Sequence, residues 1–128
     1  MTLSQLEPQG LWNFFDRLNA IPRPSKKEER VQEWVVQLGN QWGFKTQMDE
    51  VGNVLIQKPA TPGMENRTPI VMQSHLDMVC QKNADTEFNF DEDGIRMVVH
   101  GDWVRADGTT LGADNGIGVA TILAVLDS

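Results

Sequence analysis

The 128-residue sequence contains a single cysteine, Cys80. One cysteine excludes an internal disulfide framework and favours a reducing compartment, so we expect a cytoplasmic protein. The first ten residues, MTLSQLEPQG, have neither a basic start nor an apolar segment, so they predict no secretory signal. The longest apolar runs fall well short of the roughly 20 residues that a membrane span needs, so no membrane partner is expected.

Basic residues are also scarce: 11 lysines and arginines face 18 aspartates and glutamates, for a net charge of −7. No basic stripe is present that could release counterions from a phosphate backbone, which argues against a nucleic-acid partner. The hydrophobic share of 40% and the charged share of 23% are close to those of globular proteins. These values indicate one soluble, acidic domain and leave a cation open as its ligand.

Two amphipathic helices are predicted near the start of the chain. Apolar residues recur at helical spacing over 11–18, and the prolines of IPRPS (21–25) end that pattern. Ser25 and Glu28 match a capping box, which predicts a second helix with its apolar positions over 31–42.

Strand-like patterns follow. Two β-hairpins are predicted over 44–58 and 95–107, the second with Gly101 first in a two-residue type II′ turn. Between them, IVMQS (70–74) is an apolar run typical of a strand covered on both faces. With the helices, these strands predict an α/β fold in which a mixed sheet is flanked by helices.

A final helix is predicted from about Gly116, after the glycine-rich turn of GTTLGADNG. It is apolar nearly all round, which predicts a buried helix. Partners that could cover it are hard to find within these 128 residues, so the sequence is expected to form part of a larger domain.

The apolar run at 70–74 is followed by a histidine and an aspartate. His75 and Asp77 share one face if the extended conformation continues through Asp77. Neutral imidazole is a good zinc ligand, and metal-bound histidines usually donate their other N–H to a carboxylate. The pair therefore predicts a metal ligand with its orienting carboxylate. The pattern H-x-D often occurs by chance, however. The alternative is therefore a polar strand end whose histidine has its hydrogen bonds satisfied.

Asp114 lies in GADNG, immediately before the final helix. Aspartate is a favoured N-cap residue at such a position. The neighbouring glycines would also permit a close backbone approach that a plain cap does not require, and a carboxylate can bridge two cations. Both interpretations stay open at this point, since three side chains alone do not complete a metal site.

Longer strings of the sequence resemble the aminoacyl-histidine dipeptidase family, also called peptidase D, Xaa-His dipeptidase or bacterial carnosinase. These strings are QSHLDMV, ADGTTLGADNGIGVA, LNAIPRPSKKEERVQEWV and DEVGNVLIQKPATPG. The family is one of the co-catalytic zinc peptidases, which include peptidase T and the glutamate carboxypeptidases. The likeness covers essentially the whole chain, and GTTLGADNGIG is its most diagnostic part.

The resemblance implies a role for each candidate. His75 would be a zinc ligand, Asp77 the catalytic-site carboxylate that orients and polarises it, and Asp114 the bridge between two zinc ions. The implied reaction is the hydrolysis of dipeptides, of the Xaa-His type with broad specificity, by a zinc-activated water whose proton a glutamate accepts. Cobalt or manganese could replace zinc at such ligands. The family also implies a homodimer.

Family members are several times longer than this chain. The glutamate pair that supplies the general base and a zinc ligand would follow Ser128, as would further ligands and a lid-like domain. Residues 1–128 are therefore expected to be the N-terminal part of a metallopeptidase catalytic domain, inactive alone. The alternative is a binding domain that keeps the scaffold without chemistry; a third reading is a hydrolase using Cys80 as nucleophile.

The other reactive side chains fit less specific roles. His100 lies beside a predicted hairpin turn, matches no ligand motif and is interpreted as a surface residue. Cys80 is interpreted as a half-buried structural thiol, because no second histidine accompanies it in a motif. Glu28, Glu29 and Glu50 occur at a helix start and a turn, so none is expected to replace the missing base.

Overall fold

The computed structural model describes residues 1–128. A short 3₁₀ turn at its start is followed by three α-helices and four strands. In chain order the elements are the turn Leu3–Gln5, α1 (Gln9–Asn19), α2 (Glu29–Gln41), β1 (Lys45–Met48), β2 (Val54–Gln57), β3 (Met97–His100), β4 (Trp103–Ala106) and α3 (Ala113–Asp127). None of these helices combines the length and the apolar character that crossing a membrane requires.

The first two helices lie where they were predicted, but α2 begins differently. The capping box of Ser25 and Glu28 is not formed, and α2 starts at Glu29 without a side-chain cap. The Glu28 carboxylate instead accepts a hydrogen bond from the Lys26 backbone N–H at 2.8 Å. The Ser25 hydroxyl donates to the carboxylate of Asp77, which leaves it no part in starting the helix.

Both predicted hairpins are present. β1 pairs with β2 and β3 with β4, each antiparallel, and the four strands form two separate two-stranded sheets. His100 lies opposite Trp103, so a two-residue loop joins β3 and β4. Gly101 has φ +59, the positive value that the first loop position of a type II′ turn requires. Helices and strands together confirm the α/β class.

The buried strand predicted over 70–74 is wrong for this chain. The segment belongs to neither sheet, and Ile70 and Val71 are 85% and 88% exposed. A strand forms only where a neighbour accepts its backbone hydrogen bonds, and none of the four strands lies alongside this segment. The strands therefore form two hairpins instead of one mixed sheet.

The hydrophobic core lies between α1, α2 and α3, while α2 also covers the β1–β2 hairpin. It consists of Leu3, Phe14, Phe15, Leu18, Val31, Leu38, Val119, Ala120 and Leu123. The predicted burial of α3 holds for one face only, since its buried residues recur at helical spacing from Gly116 to Leu123. Val125, on α3, is 49% exposed.

α3 approaches the end of α1 closely at Gly116. A Cβ atom at this position would lie 2.9 Å from Nη2 of Arg23, 3.0 Å from Cε2 of Phe15 and 3.4 Å from Cδ2 of Leu18. Glycine therefore lets the first regular turn of α3 rest against α1, which fixes where the non-helical residues at the start of α3, Asp114 and Asn115, reach the surface.

Gly116→Ala is expected to lower the free energy of unfolding by about 1–3 kcal/mol, because the added methyl group overpacks this contact. Gly10→Ala is the matched control: a Cβ at Gly10, in the first turn of α1, would meet no atom within 4 Å. That control should be neutral or stabilising by up to about 1 kcal/mol, since alanine favours helix. Denaturant unfolding curves measure both changes, and equal destabilisation by the two variants would contradict the packing argument.

Candidate functional site

Two segments meet at one edge of the molecule: the extended segment 74–78 and the loop into α3, residues 111–115, whose last residues are the non-helical start of that helix. Met78 forms an isolated parallel bridge with Pro24, and its backbone N–H donates to the Arg23 carbonyl at 3.1 Å. The Ser74 hydroxyl donates to the Asn115 carbonyl at 3.2 Å. These contacts place the side chains of residues 75–77 beside the start of α3.

The structure brings His75 and Asp77 together on one side of the extended segment. Nδ1 of His75 lies 3.0 Å from Oδ1 of Asp77 and 3.1 Å from the Asp77 backbone carbonyl. A carboxylate and a carbonyl can only accept, so Nδ1 must carry the proton. In a neutral imidazole this places the free lone pair on Nε2, the nitrogen that would bind a metal ion.

Nε2 of His75 faces the other predicted residue, Asp114, with 3.3 Å to Oδ1. The Asp114 side chain is fully exposed apart from this contact, and the His75 side chain is 48% exposed. An imidazole lone pair and a carboxylate oxygen repel each other unless a positive charge lies between them. The contact is therefore favourable only with a proton or a metal cation on Nε2.

The pKa of His75 reflects this arrangement. Burial lowers the pKa, but the hydrogen bonds with Asp114 and then Asp77 outweigh burial and raise it above the ordinary 6.5. Because a metal ligand must be deprotonated, a cation at this place would compete with that proton.

Asp77 is itself held in place from a distant part of the chain. Its Oδ2 accepts a hydrogen bond from the Ser25 hydroxyl. That bond is the main reason why the pKa of Asp77 lies below its ordinary value; burial opposes the shift and the bond to His75 adds to it. Sequence reasoning missed Ser25, because no local pattern links two residues that are 52 positions apart.

Asp114 is not the cap of α3. Asp114 and Asn115 are non-helical, and the peptide bond between them is cis. The regular helix starts at Gly116, and the Asn115 side chain caps it by accepting from the Gly118 N–H at 2.9 Å. The N-cap interpretation of Asp114 is therefore wrong, and its carboxylate is free to face His75.

The donors suit zinc but do not complete a site. Imidazole nitrogen and carboxylate oxygen are common zinc ligands, and Asp77 occupies the second nitrogen of His75 as usual for a metal-bound histidine. No group of three or more histidine, cysteine, aspartate or glutamate side chains is arranged to hold a metal ion. Catalytic zinc normally has three protein ligands, so His75 and Asp114 could hold such an ion only together with further ligands.

The remaining candidates lie outside this arrangement. His100 is exposed at the end of β3. Cys80 is partly buried, and burial raises the pKa of its thiol despite the opposing charge of Arg23, which disfavours a nucleophilic thiolate. Its only polar contact is with the Met78 carbonyl, 3.6 Å from Sγ.

We expect His75 of the metal-free protein to titrate above 6.5, and Asp114→Asn to lower that pKa by removing the negative charge at Nε2. NMR titration resolves this directly, since the chain has two histidines and the exposed His100 serves as the internal control. A His75 pKa unchanged by Asp114→Asn would show that the two side chains do not interact.

Comparison with known proteins finds similar chains, although no protein-family model matches. The sequence is 56% identical to the cytosol non-specific dipeptidase of Escherichia coli strain K12 over 124 residues, 97% of this chain and 26% of that protein. The structure matches the aminoacylhistidine dipeptidase of Vibrio alginolyticus with a TM-score of 0.97 and 52% identity, covering 100% of this chain and 26% of that one. A tripeptidase from Staphylococcus aureus, 23% identical, shares the fold with a TM-score of 0.70 over 95% of this chain and 32% of its own.

The chain thus spans about a quarter of the length of the first two proteins. Both the sequence match and the structural match confirm the family identified from the motifs. In sequence and in fold, the chain matches the N-terminal part of an aminoacylhistidine dipeptidase, and in sequence it matches that of a cytosol non-specific dipeptidase.

Proposed function

We propose that this chain forms the N-terminal part of the catalytic domain of a cytoplasmic, zinc-dependent dipeptidase that hydrolyses Xaa-His and other dipeptides. The observation that carries the proposal is the imidazole of His75 between two carboxylates, with Asp77 on Nδ1 and Asp114 at Nε2. The relatives support the reaction class, because one is named a non-specific dipeptidase and another an aminoacylhistidine dipeptidase.

In this proposal the chain contributes two zinc ligands and one supporting carboxylate. His75 would bind through Nε2, and Asp114, with two oxygens, could serve two ions. Asp77 keeps the proton on Nδ1, turns the ring and increases the basicity of Nε2. Zinc, when bound, would polarise the scissile carbonyl and lower the pKa of a water molecule. Cobalt or manganese could serve in place of zinc.

The chain supplies too little for catalysis by itself. Its two direct ligands fall short of the three protein ligands usual for catalytic zinc. It also presents no carboxylate beyond Asp77 and Asp114 that could act as the general base, a role that typically contributes about 10²–10⁴-fold to the rate. We assign the missing ligands, the base and the contacts of a homodimer to the part of the relatives' length that this chain does not cover.

We therefore expect the 128-residue chain to show no detectable release of histidine from carnosine in the presence of zinc, and to lose zinc readily to a chelator. A chimera in which the chain replaces the matching 124 residues of the Escherichia coli dipeptidase should regain activity. The His75→Ala chimera should lose it again. Turnover by the isolated chain, or a folded chimera that never hydrolyses dipeptides, would contradict the proposal; the second result would favour a binding domain without chemistry.

Asp77→Ala and Asp114→Ala should have different effects in that chimera. Asp77→Ala is expected to lower kcat/KM by about 10–100-fold while much of the metal stays bound, because Asp77 acts through His75. Asp114→Ala should remove metal and activity together. Metal content and carnosine turnover are measured for both, with exposed Asp85→Ala as the control. Equal loss of metal from the Asp77 and Asp114 variants would contradict this division of roles.

A further inference from the structure

Arg23 is the largest fully buried side chain of the protein, with only 1% of its surface exposed. It follows α1 in the segment IPRPS, and no carboxylate pairs with its guanidinium. Burial lowers the pKa of Arg23 to about 10, against the favourable charges of Cys80 and Asp77. Burying a cation without an ion pair is costly, so its hydrogen bonds must account for its position.

Those hydrogen bonds go to the two segments that carry the site. Nη1 donates to the Leu76 carbonyl at 3.0 Å and to the Asp77 carbonyl at 3.4 Å. Nη2 donates to the Gly112 carbonyl at 3.0 Å. One planar group therefore contacts the backbone beside His75 and the backbone two residues before Asp114.

A second buried residue holds the guanidinium in this orientation. Oδ1 of Asn19, which is 1% exposed, accepts from Nη2 of Arg23 at 2.8 Å. Nδ2 of Asn19 donates to the Leu111 carbonyl at 3.0 Å. Asn19 and Arg23 thus hold adjacent carbonyls of the loop into α3, and both are anchored to the end of α1.

The surrounding glycines leave room for this contact. A Cβ at Gly112 would lie 2.6 Å from Nη2 of Arg23, and one at Gly116 would lie 2.9 Å from the same atom. Gly112 also has φ +77, a value that glycine adopts readily. The close approach that the glycine-rich string suggested is therefore made to Arg23.

We propose that Arg23 is a positioning residue, which sets the distance between His75 and Asp114 by holding the backbones of both segments. The effect of Arg23 on metal binding rests on the proposed function, whereas its effect on the distance between His75 and Asp114 does not. A lysine cannot replace it, because a single ammonium group lacks the rigid fork that reaches both segments at once.

The test compares Arg23→Lys and Arg23→Gln with Arg96→Lys and Arg96→Gln. Arg96 is a matched control, since it donates at 2.6 Å to a backbone carbonyl, that of Glu87, away from these segments. Crystal structures of the metal-free 128-residue chain and its variants give the distance between Nε2 of His75 and Oδ1 of Asp114. Competition with a chelator gives the zinc affinity of the chimera carrying each variant.

We expect both Arg23 variants to stay folded, to lose the 3.3 Å contact and to bind zinc about 10–100-fold more weakly, whereas the Arg96 variants change neither. An unchanged distance in the Arg23 variants, or loss of the whole fold in both, would overturn the proposal. If the unaltered chimera binds no zinc, the proposed function fails, and the crystal distances still decide the role of Arg23.

Discussion

The site depends on an electrostatic requirement at the imidazole of His75. With Asp77 on Nδ1 and Asp114 3.3 Å from Nε2, two carboxylates face one ring. The ring must therefore be doubly protonated or share a cation with Asp114, because a neutral imidazole would turn its lone pair toward a negative charge. A proton and a metal ion meet the same requirement, and the two carboxylates accordingly raise the pKa of His75 above its ordinary value.

Residues that are distant in the sequence hold the two carboxylates beside the imidazole. Two carboxylates near one ring repel each other, so the backbones that carry them must be held in place. Hydrogen bonds from Ser25 to Asp77 and from Ser74 to the Asn115 carbonyl hold part of the site. Arg23 holds both backbones, and Asn19 holds Arg23. The end of α1 and the segment that follows it therefore support the arrangement of His75, Asp77 and Asp114.

Sequence reasoning predicted the parts of this arrangement that depend on local chemistry. Helical spacing located α1 and α2, and the short turn at Gly101 located the second hairpin, because both patterns act within a few residues. It also predicted that His75, Asp77 and Asp114 form one site. It could not assign Ser25 or Arg23, because their partners are more than 50 residues away in the sequence. Serine near a helix start then favoured the more common interpretation, a cap.

The wrong prediction at 70–74 has the same origin. An apolar run indicates that a strand would be stable when it is covered on both faces. It does not indicate whether a neighbouring strand is present to pair with it. Within these 128 residues, Ile70 and Val71 have no such neighbour and are exposed, so neither hairpin pairs with the segment that leads into His75. Its position is instead determined after Gln73, by single hydrogen bonds from Ser74 and Arg23 and by the bridge at Met78. Within these 128 residues, the positions of His75 and Asp114 therefore depend on a few side-chain hydrogen bonds, and those of the buried Arg23 reach both segments at once.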